Sequence, residues 1–404
     1  MAYEDADHSI AKREEESHLH QLMIEVLDEA DIRLNGERPW DLRLLDDRVP
    51  ERVFTHGSLG LGEAYLDGHW EVERLDQFFE HLLAAHLDQR VKPLRLAFHA
   101  LRTRLLNRQS LRRAWKVGEV HYDLGNDFYE AMLDPRMTYT CGYWSAGARS
   151  LAEAQEAKLD LVCRKIGLEP GMRVLDIGCG WGSFMGFAAQ RYGVSCVGVT
   201  ISREQVEWAT QRYAGLPLEF RLQDYRTVAE RFDRVVSIGM FEHVGRKNHR
   251  TFMEVAYRCL AGGGLFLLQT IGKNRRDMTP DPWIDKYIFP NGDLPSVGQI
   301  GDAVDGLFVV EDLHNFGVDY DKTLMAWHAN FEAAWPRFRE RLGERFHRMW
   351  RYYLLSCAGA FRARDIQLWQ WVLSVVAMGA VARRTSRRLP PPRLRMAAPG
   401  EVTQ

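Results

Sequence analysis

Residues 174–182, VLDIGCGWG, constrain this chain more than any other stretch. An apolar run carries an acid near its end, Asp176, then come Gly178, Gly180 and Gly182, and a helical pattern opens at Ser183. Glycines permit a tight turn and let a ligand approach the backbone, while the N-terminus of the following helix favours a negative group. The spacing is GxGxG, not the GxGxxG of dinucleotide-binding folds. Around the motif the pattern repeats. Short runs rich in β-branched residues at 173–177, 195–199, 218–222, 233–238 and 264–269 alternate with helical patterns at 183–192, 203–213 and 248–260. Strands alternating with helices at this spacing predict a doubly wound, parallel α/β sheet.

Outside this region the texture differs. Residues 1–20 are charged and poor in hydrophobics, as in a mobile terminus; Leu22, Val26 and Leu27 suggest a short helix over 21–30. Residues 54–71 mix glycines with aromatics and read as turns joining small helices. Residues 90–116 carry nine Lys or Arg and no acid, with Leu94, Phe98, Leu101 and Leu105 on one helical face. Such a helix suits an anionic membrane surface or the chain's own core with a solvated basic rim. No nucleic-acid motif accompanies the arginines, and 53 basic against 55 acidic residues make no general case for that partner. With 46% hydrophobic and 27% charged residues the chain is globular, and no apolar run reaches the ~20 residues that span a bilayer. The polar, acidic N-terminus is neither a signal nor a transit peptide. Six cysteines without a CxxC pair fit a reducing cytosol and offer no metal site.

The glycine motif resembles motif I of class I S-adenosylmethionine-dependent methyltransferases. LQDY (222–225) sits at the end of the third strand, where such enzymes place an acid or polar group near the adenine. At the end of the second strand, where they usually carry an acid for the ribose, this chain has VTISREQ (199–205), leaving Thr200 and Gln205 for that task.

Longer segments narrow the resemblance: GSLGLGEAYLDGHWE (57–71), HYDLGNDFY (121–129), MTYTCGYW (137–144), GMFEHVG (239–245), DPWIDKYIFPNG (281–292), NFGVDYDKTLMAW (315–327) and CAGAFRARDIQLWQ (357–370). In this order they resemble the bacterial cyclopropane-fatty-acyl-phospholipid synthases, relatives of the mycolic acid cyclopropane synthases. The resemblance implies a Rossmann-like class I methyltransferase domain over 117–388, a small, mainly helical, lipid-associating domain over 21–116 and a disordered tail over 389–404. It implies methylene transfer from S-adenosylmethionine to a cis double bond in a membrane phospholipid, through a carbocation deprotonated by bound bicarbonate. It also implies a homodimer, cytoplasmic and peripherally attached to the inner face of the membrane.

Carried over by resemblance, the cofactor contacts are Tyr139, Thr140, Val174, Asp176, Gly178, Cys179, Gly180, Trp181, Gly182, Thr200, Ile201, Ser202, Gln205, Asp224 and Tyr225. The bicarbonate cradle maps to the backbones of Cys141 and Ile271 and to Glu242 and Tyr320, and Cys357 matches the family's reputed active-site cysteine. On residue type alone, a lone cysteine such as Cys141 is more often a small buried hydrophobe than a reactive group, and Tyr320 could be a core tyrosine. Glu242 follows a buried strand and so falls at the ligand-binding edge of the sheet. Nothing around Cys357 argues for a reactive thiolate. One position departs from the family: Gln269 stands where a histidine is expected, and a neutral amide can donate to bicarbonate but cannot carry a proton. The alternative is therefore a lipid methyltransferase giving a methyl-branched or methylidene chain. A lipid-binding scaffold without turnover is disfavoured by the intact motif I, Glu242 and Tyr320.

Overall fold

The computed structural model describes residues 17–87, 124–276 and 280–375. The first helix, α1, covers 17–28 rather than 21–30, so the stretch expected to be mobile loses residues 17–20 to it. The basic segment 90–116 and the tail 389–404 lie outside the described residues. Helices α2 (Val49–His56) and α3 (Ser58–Leu66) meet at Gly57, and strands β1 (Arg43–Leu44) and β2 (Trp70–Glu71) make a two-residue ladder before α4 (Leu75–Ala84).

After α5 (Asn126–Met132) comes α6 (Leu151–Lys165), capped by Ser150, whose hydroxyl accepts from the Glu153 amide. The alternation then proceeds through β3 (Arg173–Ile177), α7 (Ser183–Tyr192), β4 (Ser195–Thr200), α8 (Arg203–Arg212), β5 (Leu218–Leu222), β6 (Phe232–Ile238), α9 (His249–Cys259) and β7 (Leu260–Lys273). These five strands are parallel. Short helices α10 (Pro282–Tyr287) and α11 (Val297–Val304), strand β8 (Phe308–Asn315), long helices α12 (Val318–Ala334) and α13 (Arg339–Arg362), and β9 (Ile366–Val375) complete the described chain.

The seven strands lie in the order β5-β4-β3-β6-β7-β9-β8. The sheet is therefore mixed, and the expectation of a wholly parallel one is corrected: β9 runs antiparallel to β7 and to β8. Its first eight residues are buried, so it slots between them as an inner strand, while β8 forms the exposed edge. The order reverses at β3, which has β4 on one side and β6 on the other, and ligands of open α/β sheets bind at such a switch point.

The N-terminal helices share a core with α12 and α13 rather than standing apart; buried residues from Met23 to Phe361 form one cluster. Helix α4 approaches α13 so closely that a Cβ on Gly359 would lie 2.5 Å from the Asp76 carbonyl oxygen. Beside this contact Arg362 bridges the buried Asp76 (2.9 Å) and Asp321 on α12 (2.8 Å). This packing carries apolar side chains of α1 and α4 to the same cavity that the sheet edge opens into.

Candidate active site

The turn between β3 and α7 is fixed from outside. The amides of Gly178 and Cys179 donate to the Val199 carbonyl on β4 (2.9 and 3.2 Å). Gly178, Gly180 and Gly182 all have positive φ, the region L side chains avoid. A Cβ on Gly178 would strike Met240 at 2.6 Å, whereas one on Gly180 would meet no protein atom within 4 Å. Gly180 lines the cavity, so the space beside its backbone is open to a ligand.

That cavity measures about 1350 Å³. Of the expected cofactor residues, Tyr139, Thr140, Asp176, Gly178, Cys179, Gly180, Trp181 and Gln205 line it. Val174 is packed in the core beneath the turn. Gly182, Thr200, Ile201, Ser202, Asp224 and Tyr225 lie outside the lining. Thr200 nevertheless acts on it, because its hydroxyl donates to Gln205 Oε1 at 2.8 Å and sets that amide's orientation. Ser202 caps α8, and Asp224 is held by the Arg226 guanidinium at 2.6 Å.

Glu242 sits in a short turn after β6, 7% exposed. Its Oε1 accepts from the Ile271 amide at 2.7 Å, while Oε2 has no partner. Burial lifts this carboxyl to about 7, against the opposing pull of the Ile271 amide. Tyr320, on α12, lines the same space, and burial pushes its hydroxyl well above the usual range. The Ile271 amide is thus committed to Glu242, so Ile271 orients that carboxyl. Cys141 is wholly buried, its thiol donating to the Gly142 carbonyl at 3.1 Å, and only its neighbour Thr140 reaches the cavity. Cys357 lines the cavity, with its thiol pushed up to about 12 by burial, so it is a neutral wall group.

Gln269 is fully buried on β7, opposite Gln370 on β9. Its Oε1 accepts from Gln370 Nε2 at 2.9 Å and its own Nε2 has no partner. The side chain does not line the cavity.

The sequence matches the mycolic acid cyclopropane synthetase family over residues 109–371. The chain belongs to this family. It is 53% identical over 360 residues to the cyclopropane-fatty-acyl-phospholipid synthase of Escherichia coli (strain K12), covering 88% of this chain and 93% of that protein. The structure of the cyclopropane synthase MmaA2 from Mycobacterium tuberculosis superposes with a TM-score of 0.61 at 32% identity, covering 64% of this chain and 97% of that one. The mycolic acid cyclopropane synthase CmaA1, complexed with SAH and CTAB, gives 0.60 at 34% identity with the same coverage.

Two residues of this family member were not singled out from the sequence. Lys158 on α6 is 1% exposed, and its ammonium donates to the Thr140 hydroxyl at 3.0 Å inside the cavity wall. Burial lowers it to about 8, and Asp176, lifted to about 7 by burial, feels its charge. The signal was present: Gln155 and Lys158, three apart, place two polar groups on the apolar face of one helix. His243, next to Glu242, also lines the cavity and is lowered to about 4 by burial, so it stands neutral there.

Proposed function

We propose that this chain is a phospholipid cyclopropane synthase: it places a methylene from S-adenosylmethionine across a cis double bond in an acyl chain of a membrane phospholipid. The observation that carries the reading is one cavity holding both an open glycine cradle and a buried, half-partnered Glu242 carboxyl, within walls that are largely apolar. S-adenosylmethionine supplies an electrophilic methyl when bound. The turn at 178–180 and Gln205, together with Thr140, Lys158 and Asp176, line the cavity and would hold the cofactor. An alkene is a weak nucleophile, so the site must align it and exclude water. Tyr139, Trp283, Phe289, Tyr353 and Phe361 line the cavity and serve both ends, with ring faces that favour positive charge developing on the acyl chain.

The Tyr320 hydroxyl and, when protonated, the Glu242 Oε2 would donate to a bicarbonate in this cavity, which would supply a base; Cys141, buried behind Thr140, does not line it. Glu242 near 7 can share a proton there at physiological pH. Analysis of the fatty acids of cells expressing this chain tests the reading: cyclopropane acyl chains are expected, and their absence, with S-adenosylmethionine bound normally by the purified protein, would refute it.

One second reading is a methyl-branched or methylidene product: Gln269, buried against Gln370 with its Nε2 unpartnered and not lining the cavity, offers no titratable proton to the deprotonation step. A Gln269→His variant compared with wild type, with and without added bicarbonate, separates the two. Cyclopropane only from the variant would favour the second. A homodimer at the inner face of the membrane, docked through residues 90–116, completes the proposal. Each basic residue near an anionic surface contributes ~1 kcal/mol, so replacing Arg102, Arg104 and Arg108 with Gln should weaken sedimentation with anionic vesicles at low salt.

A further inference from the structure

The cavity opens beside a basic mouth. Leading away from Glu242, Ile271 and then residues 273–276, Lys273 and Arg275 among them, line the cavity. On the facing segment Ile366 and Arg364 line it too. The antiparallel ladder of β7 and β9 ends where Lys273 pairs with Ile366, and Arg275 and Arg364 lie in the bend and the turn just beyond it. The segments stay together beyond the ladder, because the Asn274 amide donates to the Arg364 carbonyl at 2.8 Å. Arg364 itself has φ of 60°, a conformation few arginines adopt.

Both arginines are exposed, and neither has a side-chain partner among the described residues. Neighbouring charges are mostly committed: Arg276 pairs with Asp302, Asp293 with Arg246, and Asp281 caps α10. Asp365 also lines the mouth, beside the two arginines and Lys273. A planar guanidinium pair matches the oxygens of a phosphate.

We propose that Arg275 and Arg364 clamp the phosphodiester of the substrate's head group, with the acyl chain running inward past Lys273 and Ile271 to Glu242. The proposal rests on the reading of the chain as a phospholipid cyclopropane synthase. The path from Arg275 to Ile271 is four residues, at most roughly 13 Å at ~3.3 Å each. One leaflet of hydrocarbon is ~15 Å deep, so the clamp lies within one acyl-chain length of the reacting site.

Binding tests this without turnover, so a failure to make cyclopropane leaves the answer readable. Full-length wild type and an Arg275→Gln/Arg364→Gln double variant are titrated calorimetrically with S-adenosylmethionine, monomeric dihexanoyl phosphatidylglycerol, dihexanoylglycerol and inorganic phosphate. S-adenosylmethionine affinity should be equal in the two proteins, showing that the variant is folded. Loss of hydrogen bonds to a charged group should weaken phosphatidylglycerol binding by about tenfold or more. Dihexanoylglycerol should bind both alike, and inorganic phosphate should bind far more weakly than the lipid. Unchanged phosphatidylglycerol affinity in the variant would overturn the clamp, as would an equal loss for dihexanoylglycerol. Inorganic phosphate binding as tightly as the lipid, in an arginine-dependent way, would make the mouth a free-phosphate site and overturn it too.

Discussion

Replacing Glu242 with Gln should make the folded protein more stable and the enzyme inactive. The carboxyl is 7% exposed with one oxygen unpartnered, and burial lifts it from 4.5 to about 7. At 1.36 kcal/mol per unit, that shift corresponds to about 3 kcal/mol of destabilisation once the group is ionised in both states. The sign follows from proton binding. Below 4.5 both folded and unfolded chains hold the proton and there is no penalty; between 4.5 and 7 the unfolded chain ionises first and the folded state loses ground; above 7 the full penalty applies. The glutamine keeps an oxygen for the Ile271 amide and removes the charge. Urea unfolding in carbonate-free buffer should therefore show the variant ahead by roughly 1 kcal/mol at pH 5.5 and by roughly 3 kcal/mol at pH 8. A variant no more stable than wild type at pH 8, or stabilised equally at both values, would refute the claim that the fold holds a carboxylate in a dry site. Activity surviving within tenfold of wild type would refute its part in the chemistry.

Three further outcomes are expected. Gly180→Ala adds a Cβ that meets no protein atom, so it should cost only the ~1–2 kcal/mol of a left-handed residue while lowering S-adenosylmethionine affinity by calorimetry at least tenfold; unchanged affinity would remove this turn from the binding site. Lys158→Met takes away the charge that draws Asp176 down, so the pH at which cofactor binding rises should move upward, and an identical pH profile would count against the pair. Cys357→Ser should leave the rate within a few-fold of wild type, because its thiol is pushed up to about 12 and a group so held carries no thiolate at neutral pH; loss of most activity in a folded variant would contradict that.

The parallel half of the sheet was readable because each strand there is a short β-branched run bounded by turn residues, and the observed β3, β4 and β5 begin where the runs do. The sequence was silent on β8 and β9 for a physical reason. IQLWQWVLSV is buried on both faces, so it lacks the two-residue alternation that marks a half-exposed strand, and its place between β7 and β8 depends on pairings far apart in the chain. Glu242 was legible as a residue at the carboxyl edge of a strand. Its free oxygen was not, since that depends on the Ile271 amide taking the other one. The pairing of Gln269 with Gln370 is likewise a property of register rather than of local pattern.

The central claim is tested most directly by the fate of the transferred carbon. Wild-type protein is incubated with methyl-deuterated S-adenosylmethionine and a cis-unsaturated phosphatidylglycerol in vesicles, and the product lipid is examined by mass spectrometry and NMR. The account predicts a ring methylene that has lost a single deuteron, with the double bond gone. A methyl branch retaining all of its deuterium would contradict it.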